Sequence, residues 1–286
     1  METIERKETP WWFWPNLLSL DAPVVAVAWF WMFSQTWGVR SLPWSSSVTL
    51  FVAVWVVYSL DRVIDGRGRV AESAQQERHQ FHRRYQKWFL LGAAAGVGWC
   101  LYASLALLSQ NALIYGCFVV LLVLFYFVLV IVSRNSGEPS LAKNFIAGLT
   151  FAYGTAAGVH AYSPVLVFNE MLFSWEVWMF GLLCALNMTA VDLWELEGEE
   201  GEDAAALVST GAMALAVVSV YLAWTSGAWA KPFHYGIVAG AGGIYFLNRT
   251  RAQFSRQEQR AWVDVALFAP VLVFWVWTTY QRAVLD

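Results

Sequence analysis

Uncharged apolar runs recur along this chain, and they constrain its fold more than any other feature. The run GCFVVLLVLFYFVLVIV (116–132) contains no charge and no alternation of polar with apolar residues. A helix of roughly 20 apolar residues crosses a bilayer core. Only 14% of the 286 residues are charged, against about a quarter in soluble domains. The pattern therefore predicts a polytopic membrane protein. Lipid-exposed backbone must form its hydrogen bonds within its own segment, so the predicted fold is all-α.

Nine segments of this kind are predicted to span the membrane, each placed to within about 3 residues. They would form one domain over residues 1–286, with nine transmembrane helices around a central lipid-accessible cavity. The predicted spans cover residues 17–37, 46–65, 87–108, 111–132, 141–161, 172–195, 203–225, 233–248 and 261–281.

The lysines and arginines between these segments predict the orientation of the chain. With the N-terminus inside, 15 of the 18 basic residues fall in inside segments. Because positive loops favour the cytoplasmic side, the N-terminus and the long polar loops are predicted to be cytoplasmic and the C-terminus outside. We expect a multi-pass protein of a bacterial inner membrane with a cytoplasmic active site. Basic loops are suited to anionic membrane lipid, and no nucleic-acid-binding signature is present.

The segment YSLDRVIDGRG (58–68) brings several charges to the end of the second predicted span. Asp61 and Asp65 are about one helical turn apart and share a helix face. Stacked like charges destabilise a helix, and carboxylates near a bilayer usually face an interior or a cavity. A cationic partner is therefore expected at this face. Tyr58 lies about a turn before Asp61, where its ring could stabilise a carbocation or could simply pack.

A second acidic cluster, DLWELEGEEGED (192–203), ends the sixth predicted span on the same side. Asp192, Glu195 and Glu199 are spaced to share one helix face. The simplest cation for two facing carboxylate clusters is Mg²⁺, which takes carboxylate oxygens, keeps several waters and shares phosphate oxygens with a substrate. A phosphate at the mouth and a tail in the bilayer describe an isoprenyl diphosphate. Its allylic C–O bond would break as the metal neutralises the leaving group.

Both clusters also have a purely structural interpretation. Asp61 and Asp65 could pair with basic neighbours, namely Arg62, Arg67 and Arg69. The acidic run after Asp192 could be a solvated loop that leads into a helix N-terminus. The sequence alone leaves both interpretations open.

The two clusters resemble the aspartate-rich motifs of the UbiA-type intramembrane prenyltransferase superfamily. The segment DRVID (61–65) resembles the DRxxD core of the first motif. The segment DLWELEGE (192–199) resembles the second motif, usually DLRDxEGD, with glutamate twice in place of aspartate. Lys143 and Asn144 are similar to a basic–amide pair that opens the fifth helix of that family. The resemblance implies nine transmembrane helices with both motifs on the cytoplasmic side.

The chain also departs from the family pattern. Val57 and Tyr58 stand where the first motif usually begins with Asn-Asp, and Val191 stands where an asparagine usually precedes the second motif. The Arg-Pro stretch that usually follows the first motif is replaced by QERHQFHRRY (76–85). These differences indicate a divergent member.

The resemblance implies catalytic and metal-binding roles for the acidic residues and substrate contacts for their basic and polar neighbours. The predicted catalytic residues and Mg²⁺ ligands are Asp61, Asp65, Asp192 and Glu195, with Glu199 as a further metal ligand. The predicted substrate contacts are Lys143, Asn144, Arg62, Arg134 and Tyr58. Two of these have a second interpretation: Arg62 could hold a carboxylate in place, and Asn144 could bond between helices.

Three functions follow from these patterns. The first is an Mg²⁺-dependent membrane prenyltransferase that ionises an isoprenyl diphosphate and transfers the prenyl group to a lipophilic or aromatic acceptor. The second is a UbiA-type terpene cyclase that ionises the same substrate without an acceptor. The third is a non-catalytic membrane protein with degenerate motifs.

Overall fold

Helices make up almost all of the protein. The computed structural model describes residues 13–65, 81–82, 84–133, 141–163, 167–194, 196 and 198–285. It is 88% helix, and the part of the chain that it describes contains no strand, which confirms the predicted all-α class.

Nine long and two short α-helices lie in the described ranges. In chain order they are α1 (Trp14–Leu17), α2 (Asp21–Thr36), α3 (Trp44–Asp65), α4 (Gln86–Ala106), α5 (Gln110–Ser133), α6 (Leu141–His160), α7 (Phe168–Leu172), α8 (Trp175–Leu193), α9 (Gly198–Thr225), α10 (Lys231–Thr250) and α11 (Arg256–Leu285). Each predicted span overlaps one of the nine long helices. The largest differences are at the starts of α9 and α11, which each begin five residues before the predicted span.

Six of these helical segments are long and apolar enough to cross a membrane. They are Trp44–Ile64, Gln86–Ala106, Gln110–Val132, Phe168–Leu193, Gly201–Thr225 and Arg256–Gln281. The structure thus supports a membrane protein with six candidate spans among its described residues.

The three remaining long helices, α2, α6 and α10, are well enclosed by other helices. Half of the residues of α6 and half of those of α10 are buried. By contrast, only 6% of the most apolar window of α5 is buried. A helix that is shielded by protein does not need an apolar surface on every side, which accounts for the polar residues of α6 and α10. α2 is also short, with 16 residues against the roughly 20 that cross a bilayer core.

The long helices pack as a bundle in which α2, α6 and α8 are central. The central helix α6 contacts α2, α3, α5 and α8, and α8 contacts α6, α9, α10 and α11. The other long helices pack around these three. Helix α3 packs on α2 and α4, α9 packs on α10, and α10 packs on α11. The outermost helix, α5, packs chiefly on α6.

Four aromatic side chains fill the middle of the bundle where α2, α8 and α10 meet. These side chains, the aromatic layer, are Trp29, Phe33, Phe180 and Phe233, and none of them is measurably exposed. Trp29 stacks on Phe180 with ring centroids 4.1 Å apart, and Phe33 contacts Phe233 at 4.8 Å. The Trp29 indole N–H donates to the carbonyl of Leu267 at 2.8 Å, which fixes the ring against α11. The layer closes this part of the bundle to solvent and lipid.

Helices α6 and α8 cross at small residues. A Cβ atom on Gly148 would lie 2.6 Å from the backbone nitrogen of Ala185 and would also collide with the carbonyl oxygen of Gly181. Both helices therefore approach each other with backbone in contact, as small residues allow in membrane proteins. This crossing fixes the start of α6 against the end of α8.

Candidate functional site

The polar groups of the interior gather at one end of the bundle. Successive long helices run in opposite directions, so α2, α6, α9 and α11 begin where α3, α5, α8 and α10 end. Side-chain bonds across this end join α2 to α3, α3 to α5, α6 to α8, and α9 to α10. We call it the polar end; both predicted motif helices, α3 and α8, end there.

Asp61 lies in the last turns of α3 and is bound by a residue of α5. The Tyr126 hydroxyl donates to Oδ1 of Asp61 at 2.8 Å. A hydroxyl that donates to a carboxylate stabilises its charged form. Because Tyr126 belongs to α5, the least buried of the candidate spans, this bond also connects the outside of the bundle to the first motif.

Asp192 lies at the end of α8 and is bound by the start of α6. The Asn144 side-chain amide donates to Oδ2 of Asp192 at 2.9 Å and lies 3.4 Å from the Thr189 hydroxyl. Asn144 is buried, whereas Asp192 and the adjacent Lys143 are half-buried. The structure therefore brings Asn144 and Asp192 together, as one interpretation of Asn144 predicted. Lys143 lies in the first turn of α6, immediately before Asn144.

Tyr58 lies on α3 about one turn before Asp61 and is half-buried. Its ring contacts Phe151 of α6 edge-on, with centroids 6.3 Å apart. Tyr58 therefore faces α6 beside the first motif.

Arg62 points toward the N-terminal turn. Its guanidinium donates to the carbonyl of Asn16 and, at 2.8 Å, to the hydroxyl of Ser19, and forms an ion pair with Asp21 at 3.2 Å. The side chain is 4% exposed, so these protein groups surround the guanidinium. Arg62 does hold a carboxylate in place, but it is that of Asp21 at the start of α2. A direct contact with diphosphate stays a prediction.

The Arg62 network uses an unusual backbone conformation. Ser19 has a φ of 58°, in the left-handed region that few residues other than glycine adopt. It is fully buried, and its hydroxyl also lies 3.4 Å from Nε2 of His82. The His82 ring stacks on Phe89 of α4 with centroids 4.4 Å apart. The turn before α2 is therefore held by α3 and by the segment that leads into α4.

Several predicted site residues cannot be placed by their side chains. Asp65 belongs to α3 and Glu199 to α9, but their side chains lie outside the described residues, as do Glu195 and Arg134 entirely. The same holds for the basic residues Arg67 and Arg69 of the alternative interpretation.

The described residues alone do not form a metal cage. Among the side chains that the structure describes, no group of three histidine, cysteine, aspartate or glutamate residues could hold a metal ion. Mg²⁺, however, is commonly bound by one or two carboxylates together with substrate phosphates and water. Asp61 and Asp192 are oxygen donors of the required kind, each on a helix end of the polar end. Their chemistry fits Mg²⁺, and these two residues would hold it.

Three residues of the polar end were not predicted from the sequence. Tyr126 was hidden in an apolar run, and Asp21 opens a helix, which is also an ordinary place for an acidic residue. Asp264 gave the clearest signal, because it is a carboxylate inside a candidate span, and such residues are costly unless they are used. Its position near the start of α11 places it toward the same end as Asp61.

Comparison of the chain with known protein families, curated proteins and solved structures finds no match.

Proposed function

We propose that the protein is an Mg²⁺-dependent membrane prenyltransferase that ionises an isoprenyl diphosphate at the polar end. The observation that carries the proposal is the pair of positioned carboxylates. Asp61 and Asp192 lie near the ends of two helices that both contact α6, and each accepts a hydrogen bond from a donor on a neighbouring helix. Fixed ligands of this kind are what a metal-dependent site requires, since orientation by neighbouring donors tunes the ligands. The resemblance to the UbiA-type motifs points to the same residues.

The chain's own residues would bind and orient the diphosphate. Lys143, half-buried beside Asn144, supplies a positive charge to the phosphate oxygens. Mg²⁺ held by Asp61 and Asp192 would neutralise charge on the leaving group. The allylic C–O bond breaks, and its electron pair leaves with the diphosphate oxygen. A nucleophilic atom of the acceptor then captures the allylic cation and loses a proton.

The aromatic surroundings of Tyr58 favour a second candidate, a terpene cyclase. Tyr58 and Phe151 are half-buried and lie between the first motif and the aromatic layer. Aromatic faces in such a position stabilise a cation that forms there. In this case a double bond of the same substrate, rather than an acceptor, would capture the cation.

Diphosphate release by the purified protein tests the proposal. The wild type is supplied with geranyl, farnesyl and geranylgeranyl diphosphate, with Mg²⁺ or EDTA, and with or without an added alkylphenol as acceptor. We expect release that requires Mg²⁺ and falls by a factor of about 100 or more in Asp61→Asn and Asp192→Asn, because a metal ligand is lost in each. Glu176→Gln is the matched control, since this carboxylate lies in the first turn at the opposite end of α8, where it accepts a hydrogen bond from the Ser174 hydroxyl at 2.6 Å.

The products separate the candidates. An alkylated phenol identifies the transferase, and a cyclic hydrocarbon or alcohol formed without acceptor identifies the cyclase. If folded protein releases no diphosphate from any substrate, the proposal fails and the non-catalytic interpretation takes its place.

A further inference from the structure

The end of α8 is held on two faces by two different helices. Trp194 follows Asp192 by two positions, so their side chains leave nearly opposite faces of this last turn. On one face Asn144 of α6 binds Asp192. On the other face the Trp194 indole N–H donates to Oδ1 of Asn248, near the end of α10, at 2.7 Å. The start of the second acidic motif is therefore attached to α10 as well as to α6.

Asn248 uses its whole side-chain amide in this contact and in two others. It is 4% exposed. Its Nδ2 donates to the carbonyl of Ala205 at 2.7 Å and to the hydroxyl of Ser209 at 2.8 Å, both on α9. A buried polar network in which every member is satisfied is rigid, and the loss of one member leaves the others unpaired. Asn248 therefore connects α8, α9 and α10 through a single side chain.

Arg251, one turn after Asn248, holds the start of α9. Its guanidinium Nη2 donates to the carbonyl of Gly201 at 3.0 Å. The side-chain amide of Gln259 donates to the carbonyl of Arg251 at 2.8 Å, which attaches this position to α11. A charged donor makes a stronger hydrogen bond to a carbonyl than a neutral donor does. The first turn of α9 is thus fixed by the same end of α10 that binds Trp194.

The chain between these two contacts turns tightly. The Leu196 N–H donates to the carbonyl of Leu193 at 3.1 Å. A Cβ atom on Gly201 would lie 2.8 Å from the carbonyl oxygen of Leu196, so the chain after α8 packs directly against the first turn of α9. In the sequence, the predicted ligand Glu195 lies between Trp194 and Leu196. Both of its neighbours are therefore held by the packing of α8, α9 and α10.

We propose that Trp194, Asn248 and Arg251 are positioning residues that hold the second acidic motif in the geometry that binds Mg²⁺. This inference rests on the proposed function. Their effect is indirect, because the bonds described above fix the chain around Asp192 and Glu195 rather than the carboxylates themselves. Removing a group that orients a metal ligand typically lowers metal affinity or activity by about 10- to 100-fold.

Amide hydrogen exchange in the metal-free protein tests whether these contacts hold the motif. Trp194→Phe keeps an aromatic ring but removes the N–H that Asn248 accepts. We expect the backbone amides of residues 192–201 to exchange about tenfold faster in this variant. The reason is that a buried acceptor without a donor destabilises the local structure.

Trp178→Phe is the matched control. Its indole N–H donates to the carbonyl of Leu172 at 2.9 Å, so this substitution removes a bond of the same kind at the opposite end of α8. Its effect on exchange should be confined to that end. If residues 192–201 exchange equally fast in both variants, the contact with α10 does not hold the motif and the inference is wrong.

The Mg²⁺ dependence of diphosphate release tests the connection to the metal. In Trp194→Phe and Asn248→Leu we expect the half-saturating Mg²⁺ concentration to rise about 10- to 100-fold, whereas kcat at saturating Mg²⁺ falls much less. Trp178→Phe should keep the wild-type Mg²⁺ requirement. A purely structural role would lower the amount of active protein without changing the half-saturating concentration. If Asn248→Leu does not fold, Trp194→Phe and Arg251→Met provide the test.

Conservative replacement distinguishes the bond of Arg251 from its bulk. Arg251→Met removes the donor to the Gly201 carbonyl, and Arg251→Lys retains one. We expect the methionine variant to need more Mg²⁺ and the lysine variant to recover most of the wild-type requirement. Arg249→Met, at an exposed position two residues earlier, should behave like the wild type.

The outcomes separate this inference from the proposed function. If the wild type releases diphosphate and the folded variants keep its Mg²⁺ requirement, the inference is overturned and the proposed function stands. If the wild type releases no diphosphate from geranyl, farnesyl or geranylgeranyl diphosphate, the proposed function fails and the metal-positioning role fails with it.

Discussion

At the polar end a single guanidinium holds the N-terminal turn against α3. Arg62 satisfies groups of Asn16, Ser19 and Asp21 at once, and both partners of its ion pair are largely buried. Breaking such a pair costs more than the pair contributes, because the remaining charge is left buried without compensation. The strained backbone of Ser19 is retained because its hydroxyl is needed by this network.

Arg62→Met should therefore destabilise the protein strongly. We expect a loss of about 3 kcal/mol, the usual cost of leaving a buried charge unpaired. In detergent this corresponds to a melting temperature lower by roughly 10 °C, at about 2–4 °C for each kcal/mol. Arg249→Met is the control, since Arg249 is exposed.

The double variant Arg62→Met/Asp21→Asn distinguishes the charge from the packing. Removing the second charge should recover part of the lost melting temperature, because no uncompensated carboxylate remains. If Arg62→Met is no less stable than Arg249→Met, the ion pair does not stabilise this end of the protein.

At this scale the sequence predicts which residue types form the site better than it predicts their partners. The spacing of Asp61 and the position of Asp192 indicate helix ends, and the structure places both residues there. The partner of Arg62 could not be predicted, because Asp21 is 41 positions away and reaches it only through the packing of α2 on α3. The same holds for Tyr126, which meets Asp61 across 65 positions.

Among the elements, the crossing of α6 and α8 determines the geometry around Asp192. The backbones touch at Gly148, Gly181 and Ala185, about one turn from Asn144 on one helix and about two turns from Asp192 on the other. Two helices fixed at such a crossing move as one body. The bond between Asn144 and Asp192 therefore depends on the small side chains beneath it.

Gly148→Ala should separate these helices. The new methyl group meets backbone atoms of α8 that cannot rotate away, so we expect a loss of stability of about 1–3 kcal/mol. Diphosphate release should fall with it, since the bond from Asn144 to Asp192 lengthens. Thermal unfolding and release are measured on the same preparation.

Gly116→Ala provides the matched control. It makes the same substitution on α5, where a Cβ atom meets nothing within 4 Å. Helix propensity alone then predicts equal or slightly greater stability. If both variants behave alike, the crossing has no special role.

Hydropathy along the sequence detects exposed apolar helices easily. It is less able to detect helices whose polar residues are buried against other helices. α5 is recognised from its sequence by a mean hydropathy of 3.0, and only 6% of its most apolar window is buried. α6 contains threonines, glycines, an asparagine and a histidine, most of which are buried against other helices. A single hydropathy window cannot tell such a helix from one that lies outside the membrane, so the prediction of nine spans also needed the charge pattern of the loops as support.

For the whole molecule, the number of crossings decides on which side each loop lies. If all nine long helices span, the link between α9 and α10 lies opposite the link between α10 and α11. If α10 does not cross, both links lie on one side. Gly227 and Gln253 are exposed residues in these two links.

Single-cysteine labelling should show that α10 crosses the membrane. In a background lacking Cys100, Cys117 and Cys184, we expect Gly227→Cys to react with a membrane-impermeant maleimide in intact cells. Gln253→Cys should react only after permeabilisation, because the positive loops favour the cytoplasmic side. Labelling of both positions under the same condition would exclude a spanning α10.

The bond from Tyr126 to Asp61 couples this carboxylate to the candidate span with the least protein around it. Only 6% of the most apolar window of α5 is buried, and a spanning helix with so few protein contacts adjusts its tilt to the hydrophobic thickness around it. Any change of tilt moves Tyr126 relative to α3 and alters the bond on Asp61. Hydrophobic thickness, set by lipid chain length and by sterol or hopanoid content, thereby becomes a variable that controls the hydrogen bonding of Asp61.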